Sequence, residues 1–307
     1  MTLAIGIDIG GTNLRLGVVD DLQVIDEMRF EANFSQICQK NSPQIAWQTI
    51  LHTLEQAISA VITKHPTVKS IGIGFPGFIA PVTGNIAQSP NLPGLKDVNL
   101  AAELSQLIGL NVIVENDALA AAYGEFKMMR HGSQNLIYIG LGTGVGGGLI
   151  LNGQPFQGQH GVAMEVGHII IKPNGRTCGC GNLGCMEQYA SASGVAISYF
   201  ETTKQQRQAS EIAALANKGD QAAIEAYSLA GKSLAEALAH ILKVIDVANV
   251  VVGGGMSAAW PLMEQAFNQK LAQDLIPALR GKLVVSVSAM GDQAGVIGAA
   301  LLASQKI

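Results

Sequence analysis

Four side chains able to ligate a metal crowd one short stretch: His168, Cys178, Cys180 and Cys185, spaced His-x9-Cys-x-Cys-x4-Cys with Gly179, Gly181 and Gly184 among them. One imidazole and three thiolates make a full tetrahedral set for zinc, and the glycines let the backbone turn tightly enough for the sulfurs to converge. Four protein ligands leave no position for water, so the expected metal is structural rather than hydrolytic. The plainer reading is a set of buried thiols, or a disulfide with a spare sulfur. Glu165 stands three residues before His168 and Glu187 two after Cys185, so a loop over residues 165–187 that folds around the metal also places two carboxylates. Cys38, the remaining cysteine, reads as an incidental thiol.

Two glycine turns point to anion binding. Asp8, Gly10, Gly11, Thr12 and Asn13 end an apolar segment with exposed backbone N–H groups that can cradle a phosphate, and Asp8 can hold Mg²⁺ directly or through water. Gly142, Thr143 and Gly144 form a second turn of the same kind. Together they read as a two-sided phosphate clamp, although neither is a G-K-[ST] loop or a dinucleotide fingerprint leading into a helix. A third run, Gly253, Gly254 and Gly255, offers a flat wall for a nucleotide base, or else only a tight strand-to-helix connection.

Glu115-Asn116-Asp117 closes the apolar segment NVIVE and precedes the helical ALAAAYGEF. Asp117 therefore reads either as a helix N-cap or, at the C-terminal end of a strand where α/β sheets bind ligands, as a general base. Asn116, Asn91, Glu165 and Glu187 add short amides and acids of the kind that match the hydroxyls of a sugar.

These groups need a scaffold. The opening 30 residues read as three strands joined by turns, followed by a helix over residues 43–64, buried strands at SIGIGFPG and NVIVEND, a helical region at 192–245, a strand at NVVVGGG, a helix at 257–276, a strand at LVVSVS and a terminal apolar helix at 294–303 that could pack on the first domain. Residues 139–153 laid over residues 7–21 match strand, glycine turn, strand and Asn/Asp turn by physical class, which predicts two related domains with a ligand cleft between them. With 48% hydrophobic residues the chain suits well-buried α/β layers, and a net charge of −4 with 19 Lys plus Arg excludes the basic field that nucleic acid or an anionic membrane would require. The reduced cysteines and the lack of an export signal point to the cytoplasm. Thirty-six glycines, clustered at strand ends, read as backbone approaching a ligand.

With these motifs in view, the chain resembles the ROK group of bacterial sugar kinases and repressors. The resemblance rests on DIGGTN, GIGFPG, SPNLPG, END, LGTGVGGGLI, the E-x-G-H and C-x-C-G-x-x-G-C-x-E segments, VVVGGGMS and GDQAGVIGAA, and so spans nearly the whole chain. It implies an α/β fold of two actin-like (ribonuclease-H-like) domains, residues 1–117 plus 290–307 and residues 118–289, closing over ATP and a hexose as a homodimer. By position, Asp117 becomes the catalytic base; Asn91, Asn116, Glu165, His168 and Glu187 hold the sugar; His168, Cys178, Cys180 and Cys185 hold Zn²⁺, with the second nitrogen of His168 near a sugar hydroxyl. The expected reaction is ATP-dependent phosphorylation at the 6-hydroxyl, of glucose first, with N-acetylmannosamine, N-acetylglucosamine and fructose as alternatives. Leu119 replaces a frequent Asn, and Met164 a common Gly before the Glu, both near the sugar site. A sugar-sensing repressor is the reading of another class, and the first strand beginning at Leu3 leaves no room for the helix-turn-helix such repressors carry.

Overall fold

A computed structural model describes residues 3–10, 13–89, 92–129 and 132–305. Gly11, Thr12 and Asn91 lie outside the described residues. The chain divides into two compact units, one of Met1–Gln134, Gly148–Ala163 and Asp292–Ile307, the other of Asn135–Gly147 and Met164–Gly291.

In the first unit, β1 (Ala4–Ile9), β2 (Asn13–Asp20) and β3 (Gln23–Glu31) form the expected antiparallel meander. Helices α1 (Phe34–Lys40) and α2 (Pro43–Lys64) lead to β4 (Ser70–Phe75), which is parallel to β1. Ser42 caps α2 ahead of Pro43, whose fixed φ suits a first helical turn, and this is why the predicted helix starts where it does. A small sheet of β5 (Phe78–Ile79), β6 (Ile86–Gln88) and β7 (Lys96–Val98) follows, then α3 (Leu100–Ile108), β8 (Asn111–Asn116) parallel to β4, and α4 (Asp117–Met128). The small sheet was not anticipated, since strands of two or three residues carry no periodic signal. The main sheet runs β3-β2-β1-β4-β8, and its core gathers Ile5, Ile7, Leu14, Leu16, Ile50, Leu54, Ile58, Ile71, Ile73 and Phe75. Register aligns Asp8 with Gly74 and Gly74 with Glu115, so the two motif carboxylates lie in one row at the C-terminal ends of three parallel strands.

The terminal helix α10 (Gln293–Gln305) belongs to this unit, and glycines decide how closely it packs. A Cβ on Gly6 would overlap the Val296 carbonyl, one on Gly72 that of Ala299, one on Gly124 that of Ala294, and one on Gly298 that of Ala120. These four glycines thus let helix backbone lie directly on sheet and on α4, rather than on a ligand.

In the second unit, β9 (Leu136–Leu141) leads into β10 (Val145–Leu151), the strand through which the chain leaves the unit for β11 (Gln154–Pro155). The remainder comprises the cysteine loop, α5 (Glu187–Ala190), α6 (Ala192–Thr203), α7 (Ala209–Ala216), α8 (Gln221–Ile245), β12 (Asn249–Gly253), α9 (Trp260–Asp274) and β13 (Val284–Val287). Strand order is β11-β10-β9-β12-β13, with β12 parallel to β9 and β13, and so repeats the order of the first sheet. The predicted internal repeat holds residue by residue: the shift that carries Ala4 to Leu136 carries the end of β1 to the end of β9 and the start of β2 to the start of β10. The helical region predicted at 192–245 is three helices, because Lys204 ends α6 with a left-handed φ of 60° and Asp220 starts α8 by accepting the Ala223 N–H at 2.8 Å. Among the described residues no helix is long and apolar enough to cross a membrane.

Candidate active site and metal centre

The cysteine loop is built as a closed knot of backbone hydrogen bonds. Ile171 N–H donates to Gly184 O at 3.0 Å, Gly184 N–H to Arg176 O at 2.8 Å, Cys178 N–H to Asn182 O at 2.9 Å and Met186 N–H to Ile169 O at 2.8 Å. Gly184, at φ +81°, lies so close to Lys172 that any side chain would strike its carbonyl. The result brings one ligand atom from each of His168, Cys178, Cys180 and Cys185 within 4.8 Å of the others. Cys178 Sγ is 3.6 Å from His168 Nδ1, and Cys180 Sγ is 3.6 Å from Cys185 Sγ. A tetrahedron with zinc–sulfur bonds of ~2.3 Å has edges of ~3.8 Å, so the donor set fits the ion closely. All four cysteines are free thiols, which removes the disulfide reading. Burial, reinforced by its thiol neighbours, pushes Cys185 up to about 12, whereas a backbone N–H from Asn182 lowers Cys180. A divalent cation at the centre supplies the charge that would let all three sulfurs ionise.

Arg176, which drew no attention in the sequence, fastens this loop to α5 and α6. Its guanidinium donates to Gln188 O at 2.6 Å, Gly194 O at 3.2 Å, Ser198 Oγ at 2.9 Å and Glu201 Oε2 at 2.6 Å, and it lies 4.5 Å from the centroid of the Tyr189 ring. A single arginine inside a cysteine loop carries no pattern that spacing could reveal.

The loop delivers its two carboxylates differently. Glu165 Oε2 is 3.7 Å from His168 Nε2, an electrostatic contact too long for a hydrogen bond. His168 thus turns Nδ1 to the sulfurs and Nε2 toward the Glu165 carboxylate, without a hydrogen bond between the two. Burial raises the Glu165 carboxyl above its ordinary range, the nearby His168 opposing and Glu187 adding to the rise. The preceding Met164 holds φ +64°, a left-handed backbone that costs a non-glycine residue roughly 1–2 kcal/mol. That accounts physically for the glycine expected there. Glu187, first residue of α5, accepts the Val145 N–H at 2.9 Å through Oε2 and lies against Gly144, where any Cβ would collide with it.

The metal loop is therefore joined to the Gly142-Thr143-Gly144 turn. That turn is closed by Gly142 N–H donating to Gly144 O at 2.9 Å, whereas in the first unit Gly10 N–H reaches one residue further, to Asn13 O at 2.9 Å. Its carbonyls are held by α6, with Ala192 N–H on Gly142 O at 2.9 Å and Ser193 Oγ on Thr143 O at 2.9 Å. The turn forms one rim of a cavity of about 650 Å³ within the second unit, whose wall includes Thr143, Gln208, Asn217, Tyr227, Gly255 and Met256. This volume suits a nucleoside-sized ligand. The Tyr227 hydroxyl, pushed up to about 12 by burial, stays protonated and donates to Ala209 O at 2.8 Å. Of the three glycines expected to form a wall, Gly255 lines the cavity with open space where a Cβ would go. Gly253 instead accommodates the Tyr138 ring, and Gly254, at φ +79°, makes a tight turn against Leu141. Gln208, Asn217 and Tyr227 escaped the sequence reading because the first two flank α7 at its opposite ends and the third lies on α8, with no shared spacing.

In the first unit the half-buried Asp8 lies near Arg15 and Asp292. Desolvation raises its carboxyl, Arg15 opposing and Asp292 adding to the rise. Arg15 itself binds Asp292 Oδ2 at 2.8 Å. The N-cap of α4 is Asn116 rather than Asp117: its Oδ1 accepts the Leu119 N–H at 3.0 Å and its Nδ2 donates to Gly77 O at 3.1 Å. Asp117 follows as the first helical residue, with Oδ1 accepting the Ala118 N–H at 2.8 Å.

Comparison with known proteins places this geometry in context. The model of the ROK family matches residues 4–306. A glucokinase of Streptomyces coelicolor is 31% identical over 99% of this chain and 98% of its own length. An N-acetyl-D-glucosamine kinase of Salmonella paratyphi B is 32% identical over 97% of this chain and 98% of its own. The crystal structure of a ROK family glucokinase from Streptomyces griseus, in complex with glucose and AMPPNP, superposes with a TM-score of 0.83 at 30% identity, covering 99% of each chain.

Proposed function

The chain belongs to the ROK family, and on that premise we propose that it is an ATP-dependent hexokinase transferring the γ-phosphoryl group to the 6-hydroxyl of a hexose, glucose foremost. The observation that carries the reading is the cavity of about 650 Å³ whose rim is the Gly142–Thr143 turn and whose wall includes Gly255. It joins two of the glycine segments in one nucleotide-sized space, with the phosphates directed to the turn.

In this mechanism the Asp117 carboxylate accepts the proton of the hydroxyl as its oxygen bonds to the γ-phosphorus and the bond from phosphorus to the β,γ-bridging oxygen breaks, so that ADP leaves with the electron pair. Phosphoryl transfer asks mainly for positioning and charge neutralisation, which glycine turns provide through backbone N–H groups. Gly10, Gly11, Thr12, Asn13, Gly142, Thr143 and Gly144 hold the phosphates. Asp8 would hold Mg²⁺, which neutralises phosphate charge when bound. Asn91, Asn116, Glu165, His168 and Glu187 orient the sugar, and the Zn²⁺ held by His168, Cys178, Cys180 and Cys185 fixes the two loop carboxylates without taking part in bond making.

A second reading, N-acetylglucosamine as substrate, is supported by the Salmonella relative at 32% identity; N-acetylmannosamine and fructose are further alternatives. Coupled measurement of ADP release from ATP over glucose, N-acetylglucosamine, N-acetylmannosamine and fructose tests all of these. The expected result is release with glucose at the highest kcat/KM. Release fastest with an N-acetyl sugar selects the second reading, and binding of sugar without release from any hexose overturns the kinase in favour of a sugar-sensing protein.

A further inference from the structure

We infer that Glu115 and Gln157 form a clamp that positions Asp117, an inference that rests on the kinase reading for its catalytic consequence. Glu115 is the penultimate residue of β8 and only 7% exposed. Its Oε1 accepts the N–H of Asn116 at 2.8 Å, and its Oε2 accepts Gln157 Nε2 at 2.6 Å, across 42 residues of sequence. A buried carboxylate costs several kcal/mol in desolvation unless hydrogen bonds compensate it, and these two bonds are what offset that cost at Glu115.

What the clamp controls is the exit from the strand. The Glu115 bond fixes the amide of Asn116, and the carboxamide of Asn116 is itself engaged at both ends by Leu119 and Gly77. Asp117 is the next residue, and Gly74 lies beneath it: a Cβ there would sit 3.5 Å from the Asp117 Cα. The direction in which Asp117 leaves the sheet is thereby set from below by Gly74 and from behind by Glu115.

Gln157 is anchored independently. On one side Phe156 N–H donates to Leu149 O at 2.8 Å, and on the other Ala163 N–H donates to Gln157 O at 3.2 Å. Gly161 closes the same loop against the Ile79 carbonyl, with no room for a side chain. The loop over residues 156–163 therefore holds the carboxamide of Gln157 at a fixed place, and Glu115 passes that constraint to the residue pair before α4.

The test is reciprocal. Glu115→Gln faces Gln157 with a second carboxamide, and Gln157→Glu sets two carboxylates together; each weakens the clamp. The double variant Glu115→Gln with Gln157→Glu restores an amide–carboxylate bond with donor and acceptor exchanged. Each single variant is expected to lower kcat by about 10- to 100-fold, the scale of a displacement near 1 Å at a reacting group, with KM for ATP within about twofold of the parent and the double variant regaining most of the rate. Independently of turnover, the backbone ¹⁵N–¹H resonances of Asn116 and Asp117 should move in each single variant and return in the double. Resonances that stay in place in the single variants, or a double variant no better than the worse single, overturn the clamp. Parent protein that releases no ADP overturns the kinase reading instead, while the resonances still decide the clamp.

Discussion

Replacing Asp117 by asparagine separates chemistry from architecture. The cap of α4 belongs to Asn116, whose bond to the Leu119 N–H at 3.0 Å is untouched. The Ala118 N–H, 2.8 Å from Asp117 Oδ1, finds the same acceptor in the carboxamide oxygen of asparagine. The charge removed from the first turn of the helix is worth about 0.3–1 kcal/mol, or roughly 1–4 °C in melting temperature. Loss of a general base, by contrast, removes about 10²- to 10⁴-fold of rate, or about 3–5 kcal/mol of transition-state stabilisation. Asp117→Asn is therefore expected to bind sugar and melt within a few degrees of the parent while losing most of kcat, as read by coupled ADP release and differential scanning fluorimetry. Turnover within a few-fold of the parent refutes the assignment. So does a fall in melting temperature large enough to account for the lost activity.

Cys180→Ser should release the metal, lower the melting temperature and raise KM for the hexose together, because Glu165 and Glu187 border the same loop; metal content by mass spectrometry reads the first effect, and full activity with no bound metal refutes it. Gly298→Ala gains about 1 kcal/mol of helix propensity but drives a Cβ into the Ala120 carbonyl, so chemical denaturation should show a net loss of about 1–2 kcal/mol; a gain would mean that α10 packs less closely than described. Hydrogen bonds from Lys64 first and His65 second, each at 2.7 Å, hold the Asp26 carboxyl below the usual carboxylate range. A depressed folded pKa stabilises above the unfolded value near ~3.9 and ceases to do so as pH falls through the folded value, so the stability gap between parent and Asp26→Asn should persist at neutral pH and shrink below about pH 4. A gap that widens in acid contradicts that sign.

Local chemistry was legible in the sequence wherever it depended on neighbours along the chain. The histidine and three cysteines lie close enough in sequence that a short loop had to bring them together, and the strand ends around each glycine turn follow from apolar periodicity broken by glycine. The repeat was readable for the same reason, since Ala4 and Leu136 begin strands of matching pattern. What required tertiary structure is every role that depends on a distant partner. Whether Asn116 or Asp117 caps α4 was settled by packing against Gly77, whether Gly253 faces a ligand or Tyr138 by the neighbouring strand, and the work of Arg176, Gln157 and Tyr227 by helices and loops far off in sequence. Residue types and spacing determine which groups can do chemistry, because reach along a chain is short. Burial and hydrogen-bond satisfaction determine which groups are occupied in holding the fold, because a polar atom taken out of water must find its partner wherever the fold has put one.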